Sequence, residues 1–386
     1  MYDSERRKLA KEYNRIKDRY NSYKIVLEFI FWLVFFGFSL EVKVYNFIAN
    51  IIDNFDLKLV IFIFGVTLLY SIYTWIFDYL FSYKLSRKYE LSNQTPKEWL
   101  LDKVKVFILT NLFLYVAGRA FLTITVWYPD RWWLFFSIGG VLLILVINFI
   151  FPVVLLPFFF ELTPYPESPL RERLMELFSR VGIEVADIYE FNLSSKMNSA
   201  NAAVVGMGRT RKILLGDNLQ ERYTNDEIEA VLAHEIGHHV NGDMFKLLFI
   251  EALSLLFTVF LVSKLWQPAT KLFGYTEVYS IISLPLFLLV TGILNWLLSP
   301  LGLIFSRLTE KRADNFALQL IDNSDDLATA FVKLADDSLS KLEYNWYDLL
   351  FKASHPPIGK RVEKALYWSN RSDENGEEGD NGNSCF

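Results

Sequence analysis

The chain has one cysteine in 386 residues and only four histidines. Cys385, beside the last residue, has no partner within the chain, which excludes a disulfide framework and any cysteine-built metal site. A metal held here must be held by histidine and carboxylate. An excess of either sign of charge is lacking too: a formal net charge of -5 is small for this length and makes no case for a nucleic-acid partner, which normally meets a concentrated basic surface. There is no internal repeat and no Gly-rich phosphate loop. The first stretch is highly charged rather than a short basic segment leading into an apolar core, so no cleaved signal peptide is expected.

What the chain has in excess is apolar side chain. At 52% hydrophobic and 17% aromatic content it carries more than one soluble core takes up, which points to lipid. A hydrocarbon core of about 30 Å takes roughly 20 helical residues to cross. Runs of suitable length lie at about 25–42, 57–81, 104–128, 132–158, 244–265 and 277–304, giving six expected crossings, of which the first is the shortest and contains Glu28. Lys and Arg set the orientation. The basic segment 1–24, with Arg6, Arg7, Lys8, Lys11, Arg15, Lys17, Arg19 and Lys24, and the loop with Lys84, Arg87, Lys88, Lys97 and Lys103 are assigned to the cytoplasm. The four crossings within 25–158 then place 159–243 on the cytoplasmic side. The hairpin of two crossings, 244–304, returns the chain there for 305–369. The stretch 370–386 is Asn, Gly, Asp, Glu and Ser with few apolar residues and is expected to be disordered.

Segment 159–243 reads as a small α+β domain: a helical pattern near 168–181, a strand-like run from Ile188 to Phe191, and a hairpin in which Ala202 to Val205 and Lys212 to Leu215 flank a Gly-containing turn. Thr224 and Glu227 have capping-box spacing ahead of Ile228, Val231 and Leu232, so a helix starts just before His234-Glu235-Ile236-Gly237-His238. Two imidazoles four residues apart leave one helix face about a turn apart, close enough to share a zinc ion, and the adjacent Glu can reach a coordinated water. Zinc brings such a water toward a pKa of about 7, so Glu235 can take its proton at neutral pH and later deliver it to the leaving amine. Read alone, the motif is also met by chance on surface helices; its apolar flanks, and the placing of half of the chain's histidines at this spacing, favour the metal. His239, one residue further on, is turned off the ligand face.

A catalytic zinc needs a third protein ligand and an open position. The chain re-emerges from the last crossing as Ser306-Arg307-Leu308-Thr309-Glu310-Lys311-Arg312-Ala313-Asp314. Glu310 and Asp314 share a helix face, so one can ligate while the other orients a ligand histidine through its second ring nitrogen. The plainer alternative is a salt-bridged helix end, with Arg307, Lys311 and Arg312 as partners.

These residues resemble the CAAX prenyl protease 1 family of integral-membrane zinc metalloproteases, of the gluzincin type. Besides H-E-x-x-H and E-x-x-x-D, the resemblance rests on Leu156-Pro157-Phe158-Phe159 with Thr163-Pro164, on Asn201-Ala202, on Ser354-His355-Pro356-Pro357-Ile358-Gly359-Lys360-Arg361, and on the loop from Tyr83 to Lys105. It implies a mainly α, polytopic membrane fold, about six transmembrane helices forming a barrel around a chamber, with a small cytoplasmic α+β zinc-protease domain. Glu28, Asp78, Arg119 and Glu251 inside the expected crossings suit a chamber, since such groups rarely face lipid; for Asp78 the simpler reading is a position near a helix end. By the same resemblance one Zn2+ is bound per chain, Glu310 is the expected ligand and Asp314 the expected orienting group, His355 donates to the oxyanion at the scissile carbonyl, Asn201 holds substrate backbone and Arg361 buttresses the site. Independently, the strand of Ala202, Ala203 and Val204 can take an extended substrate as an added strand. The expected partners are a peptide or protein substrate, prenylated or not, and membrane lipid.

There are departures. Eukaryotic members have a further N-terminal crossing, an aromatic residue where this chain has His239, and a dilysine ending; this chain looks bacterial or archaeal, which makes the cell inner membrane of a prokaryote the expected location and puts prenylated substrates in question. Alternatives are a quality-control protease resembling the heat-shock-associated bacterial enzymes, a non-catalytic membrane chamber with structural zinc, and an ion-coupled carrier. Glu235 argues against the structural site, and the absence of repeated halves against the carrier.

Overall fold

The computed structural model describes residues 1–206 and 208–379. Helix α1 (Ser4–Gly37) starts where the Asp3 side chain accepts from the amides of Glu5 and Arg6. It gives way at Ser39, which sits in the left-handed region (φ 50°), and α2 (Leu40–Ala49) leaves at an angle of 53°. Next come α3 (Phe55–Phe77), capped by Asn54, a π-helical turn, and α4 (Lys84–Lys88). Helix α5 (Pro96–Trp127) opens with a Thr95–Glu98 capping box and a proline in its first turn. Helix α6 (Trp132–Ile150) passes through a π-helical stretch into α7 (Leu156–Phe159).

A mixed segment follows: β1 (Leu162–Pro164), α8 (Pro169–Arg180), β2 (Asp187–Phe191), β3 (Ala202–Val205), β4 (Lys212–Gly216), α9 (Leu219–Arg222) and α10 (Asn225–Val240). The chain then runs through α11 (Asp243–Leu272), α12 (Leu284–Leu320), α13 (Ser324–Asp337), α14 (Trp346–Phe351) and α15 (Ile358–Gly379). Helix α15 thus enters the stretch for which the sequence predicts no order; residues 380–386 lie outside the described residues.

Among the described residues five helical segments are long and apolar enough to cross a membrane, Phe55–Lys88, Pro96–Trp127, Trp132–Ile150, Asp243–Leu272 and Ile281–Leu320, and six when the bent pair α1–α2 counts as one span. The first crossing differs in form from the straight run expected at 25–42. It shares helix α1 with the basic segment before it, and the break at Ser39 turns the rest of the apolar run aside. Phe35, Leu59, Phe62, Phe121, Val262, Trp266 and Phe287 form the core between these helices. Asp78, expected near a helix end, is paired there with Lys24 at 3.1 Å and Lys103 at 2.7 Å. Arg119 meets Asp56 at 2.8 Å.

Helix α12 has 37 residues. At 1.5 Å per residue it is roughly 55 Å long, well beyond a hydrocarbon layer of about 30 Å, so its C-terminal part stands clear of the lipid. There it meets the mixed domain, whose sheet has the order β1-β2-β4-β3, with β2 and β4 parallel and the outer pairs antiparallel. Ile188, Ile213 and Leu215 from the sheet, Leu174 and Phe178 from α8, Ile228, Leu232 and Ile236 from α10, and Leu318 and Phe331 from α12 and α13 share one core. Each such burial contributes about 1.5–3 kcal/mol relative to exposure. Helix α10 is therefore held from both sides, by the sheet and by α12.

Candidate metal centre

The helix carrying His234, Glu235 and His238 begins where the sequence predicts. The Thr224 side chain accepts from the Glu227 amide, and the Glu227 carboxylate accepts from the Thr224 amide at 2.8 Å. The approach of α10 to α12 depends on Gly237. A Cβ there would lie 2.9 Å from Ala313 Cα, 3.1 Å from Ala313 O and 3.2 Å from Phe316 Cβ. The missing side chain lets the two backbones close, and Ala313 sits between Glu310 and Asp314. In this way the histidines and carboxylates, about seventy residues apart, come to one place.

His234, His238 and Glu310 offer ligand atoms that all lie within 4.8 Å of one another. The imidazole tautomers follow from their outer contacts. His234 Nδ1 lies 3.0 Å from Asp314, and His238 Nδ1 meets Asp243 at 3.1 Å, carboxylates to which only a ring N–H can donate. In the tautomer that donates from Nδ1 each Nε2 carries the lone pair, and both face Glu310: His234 Nε2 is 3.4 Å from one carboxylate oxygen and His238 Nε2 is 3.5 Å from the other. Two ligands each about 2.1 Å from a tetrahedral ion are roughly 3.4 Å apart. Glu310 Oε2 is moreover a buried oxygen without a hydrogen-bond partner. Two imidazole lone pairs around an unsatisfied buried carboxylate fit a divalent cation far better than they fit one another.

Carboxylates and guanidinium groups surround these three. Asp314 is buried, and Arg361 grips it with two nitrogens, Nη2 at 2.6 Å and Nε at 3.0 Å, while stacking 4.0 Å over the Phe331 ring. The same guanidinium lies 3.7 Å from Glu310. Asp243, 1% exposed, is the counterpart of Asp314 on the other histidine; Arg312 lies 3.3 Å and Lys246 3.7 Å from its second oxygen. Glu235 lies close enough to feel the charges of the same cluster. Burial pushes its carboxyl above the usual range, and Glu310 adds to this against the pull of His234, His238 and Arg361.

His355 Nε2 stands 3.2 Å from Glu310 Oε1, on the exposed side, and its Nδ1 is 2.8 Å from Ser354 Oγ. Its loop is tied to the helix that supplies Glu310: Ser306 Oγ donates to Ser354 O at 2.9 Å and Arg307 to Ala353 O at 2.6 Å. Arg307 and Arg312, which the plainer sequence reading pairs with Glu310 and Asp314, are thus engaged elsewhere, with the His355 loop and Asp243.

Strand β3 forms the sheet edge beside α10. Asn201 is exposed, Ala202 buried, and Ala203 and Val204 half-buried. His239 is indeed off the ligand face, and its Nε2 meets Val204 O at 3.3 Å. Sequence reasoning did not find Asp243. The only signal was its position five residues after His238, and the left-handed backbone at Gly242 (φ 61°) that separates the two helices and sets Asp243 beside the imidazole is not visible in a helical repeat. Gly237 also passed unread.

Comparison with known proteins agrees with this geometry. Residues 164–369 match the model of peptidase family M48, and residues 1–161 match the CAAX prenyl protease N-terminal domain of five membrane helices. Among curated proteins, a Bacillus subtilis protein described as uncharacterized metalloprotease YhfN is 26% identical over 361 residues, spanning 92% of this chain and 84% of the relative. The probable CAAX prenyl protease 1 of Schizosaccharomyces pombe is 27% identical over 311 residues, 80% of this chain and 65% of the relative. The crystal structure of S. mikatae Ste24p superposes with a TM-score of 0.82 at 22% identity, covering 94% of this chain and 89% of that one, and so shares its fold. With its catalytic-segment match covering more than half of the chain, its multi-span helical fold and its His–His–Glu cluster, the chain belongs to peptidase family M48, as an integral-membrane metalloprotease.

Proposed function

We propose that the protein is a zinc endopeptidase of the CAAX prenyl protease 1 type, working at the cytoplasmic face of its membrane. The observation that carries this reading is the convergence of His234 Nε2, His238 Nε2 and Glu310 on one point, with Glu235 beside it. Two imidazoles and one carboxylate with an open fourth position is the donor set of a catalytic zinc. When bound there, zinc supplies Lewis acidity, acidifying water and polarising the scissile carbonyl.

The chain's own groups do the rest. Glu235 takes a proton from the attacking water and returns it to the leaving amine. Asp314 and Asp243 hold the two imidazoles in the tautomer with Nε2 free, and Arg361 holds Asp314. With Ser354 donating to Nδ1, His355 carries its proton on Nε2 and directs it at the oxyanion that forms on the substrate carbon. Asn201 and the strand Ala202, Ala203, Val204 hold the substrate backbone in extended form beside α10.

The CAAX preference is supported by the Schizosaccharomyces pombe relative, which is described as a probable CAAX prenyl protease 1. It is tested by cleavage of a farnesylated C-terminal peptide, its unprenylated twin and an unfolded membrane segment by detergent-purified protein. Faster cleavage of the farnesylated peptide, abolished by chelation, is the expected result. Cleavage of the unfolded segment alone overturns the CAAX preference in favour of a quality-control protease.

A further inference from the structure

The register of the sheet fixes which groups of β3 are open. Ala202 to Val205 pair with Leu215 to Lys212, and one step earlier the Gly216 amide donates to Asn201 O at 2.9 Å. In an antiparallel ladder hydrogen-bonded pairs alternate with non-bonded ones. Residues 201, 203 and 205 therefore bond to β4, and the amide and carbonyl of Ala202 and Val204 face away from it, toward the edge. Beyond Val205 the edge ends, because Gly206 turns the chain with φ +84°.

A strand added to this edge has four main-chain groups to use: N–H and C=O of Ala202, and N–H and C=O of Val204. One of them already has a partner. His239 Nε2 lies 3.3 Å from Val204 O, and since a carbonyl only accepts, the imidazole is the donor. His239 follows the metal-facing His238 directly, so this contact lies at the margin of the site itself.

We propose that His239 is a specificity-determining residue that closes the substrate edge at Val204, leaving Ala202 C=O as the single β3 carbonyl open to a substrate amide. The proposal rests on the reading of β3 as the strand that holds substrate. Its consequence is chemical. Pairing with β3 consumes one substrate N–H where an uncapped edge would consume two, spaced two residues apart. The substrate residue opposite Val204 needs no N–H, so residues lacking one, such as proline, are tolerated there. The ring takes the place of one rung of a longer substrate ladder and limits how much extended chain this edge can recognise.

The test is an ester scan. In a quenched-fluorescent peptide that the zinc-loaded protein cleaves, each amide N–H is replaced in turn by an ester oxygen, and KM is measured for wild type, His239→Leu, His239→Ser and His239→Gln. Leu and Ser cannot reach and donate to Val204 O, whereas Gln retains a donor of similar reach. The expected result is that His239→Leu and His239→Ser each gain one new ester-sensitive position, two residues from a position already sensitive in wild type, with KM rising there by roughly two- to tenfold. His239→Gln keeps the wild-type map. Each comparison is made between peptides within one variant, so a general loss of activity or of folded protein cancels, and Ser guards against a Leu variant that fails to fold. Unchanged maps in both the Leu and Ser variants overturn the role of His239 while leaving strand pairing intact. A scan with no sensitive position in any protein removes the substrate strand on β3, and the proposal with it.

Discussion

The contact at Gly237 gives a prediction with a definite sign. In a solvent-exposed helix, Gly→Ala stabilises by about 1 kcal/mol through backbone entropy. Here the added Cβ would sit 2.9 Å from Ala313 Cα and 3.2 Å from Phe316 Cβ, against ordinary carbon–carbon contacts of about 3.5–4.0 Å. Helices α10 and α12 must then separate by roughly half an ångström. Overpacking of this kind costs about 1–3 kcal/mol, so the helix-propensity gain is offset and a net loss of about 1 kcal/mol remains. The same shift moves Glu310, on α12, away from His234 and His238, on α10. Metal–ligand distances tolerate only about 0.2 Å, so the ion loses a ligand's worth of good geometry. For Gly237→Ala we expect a lower Tm in detergent without zinc, and zinc affinity weaker by about tenfold or more in competition with a chromogenic chelator. A variant as stable as wild type, binding zinc as tightly, would refute the close-approach argument.

Three further perturbations probe the surroundings of the site. Asp243→Asn keeps an acceptor near His238 Nδ1 but removes the charge, and zinc affinity should fall by about 10- to 100-fold in the same competition assay, while Asp243→Glu falls less. Arg361→Met leaves Asp314 buried without its bidentate partner, and denaturant unfolding should show a loss of about 3 kcal/mol or more, relieved in part by adding Asp314→Asn. Asp348 lies away from the metal. Burial raises its pKa, but its ion pairs with Lys341 and Lys352 outweigh this and hold it below the ordinary 3.8. Its folded-state pKa is therefore depressed, so its contribution to stability is full above about pH 4 and is lost as pH falls below that. Thermal scans between pH 5 and 3 should show a shallower fall in Tm for Asp348→Asn than for wild type.

Much of this molecule was legible in its sequence because the signals were local. Apolar runs of membrane length gave the multi-span fold, two short apolar runs flanking a Gly-containing turn gave β3 and β4, and Thr224 with Glu227 gave the start of α10. The metal cluster was legible for a different reason: His234 and His238 are fixed by one helical turn, and a membrane hairpin must return Glu310 and Asp314 to the side it left. What escaped depended on where separate elements touch. The bend at Ser39 reflects a left-handed backbone at a residue with no strong preference for it. Helix α12 continues well past residue 304, the expected end of its crossing, because leaving the lipid does not require leaving the helix. Asp243 and Gly237 serve contacts made across helices, and the His239 bond to Val204 joins two elements whose adjacency no short motif encodes. Arg307 and Arg312 carry the same charge and lie on the same helix as the acidic pair, yet their partners come from elsewhere in the chain.

The central claim is that one zinc ion at His234, His238 and Glu310 and the base Glu235 together hydrolyse a peptide bond. It is tested most directly by measuring bound zinc and peptide cleavage on the same purified samples of wild type, Glu235→Gln and His238→Ala. The account predicts one zinc per chain with cleavage for wild type, one zinc per chain without cleavage for Glu235→Gln, and neither for His238→Ala. Cleavage that survives in Glu235→Gln, or zinc retained in full by His238→Ala, would contradict it.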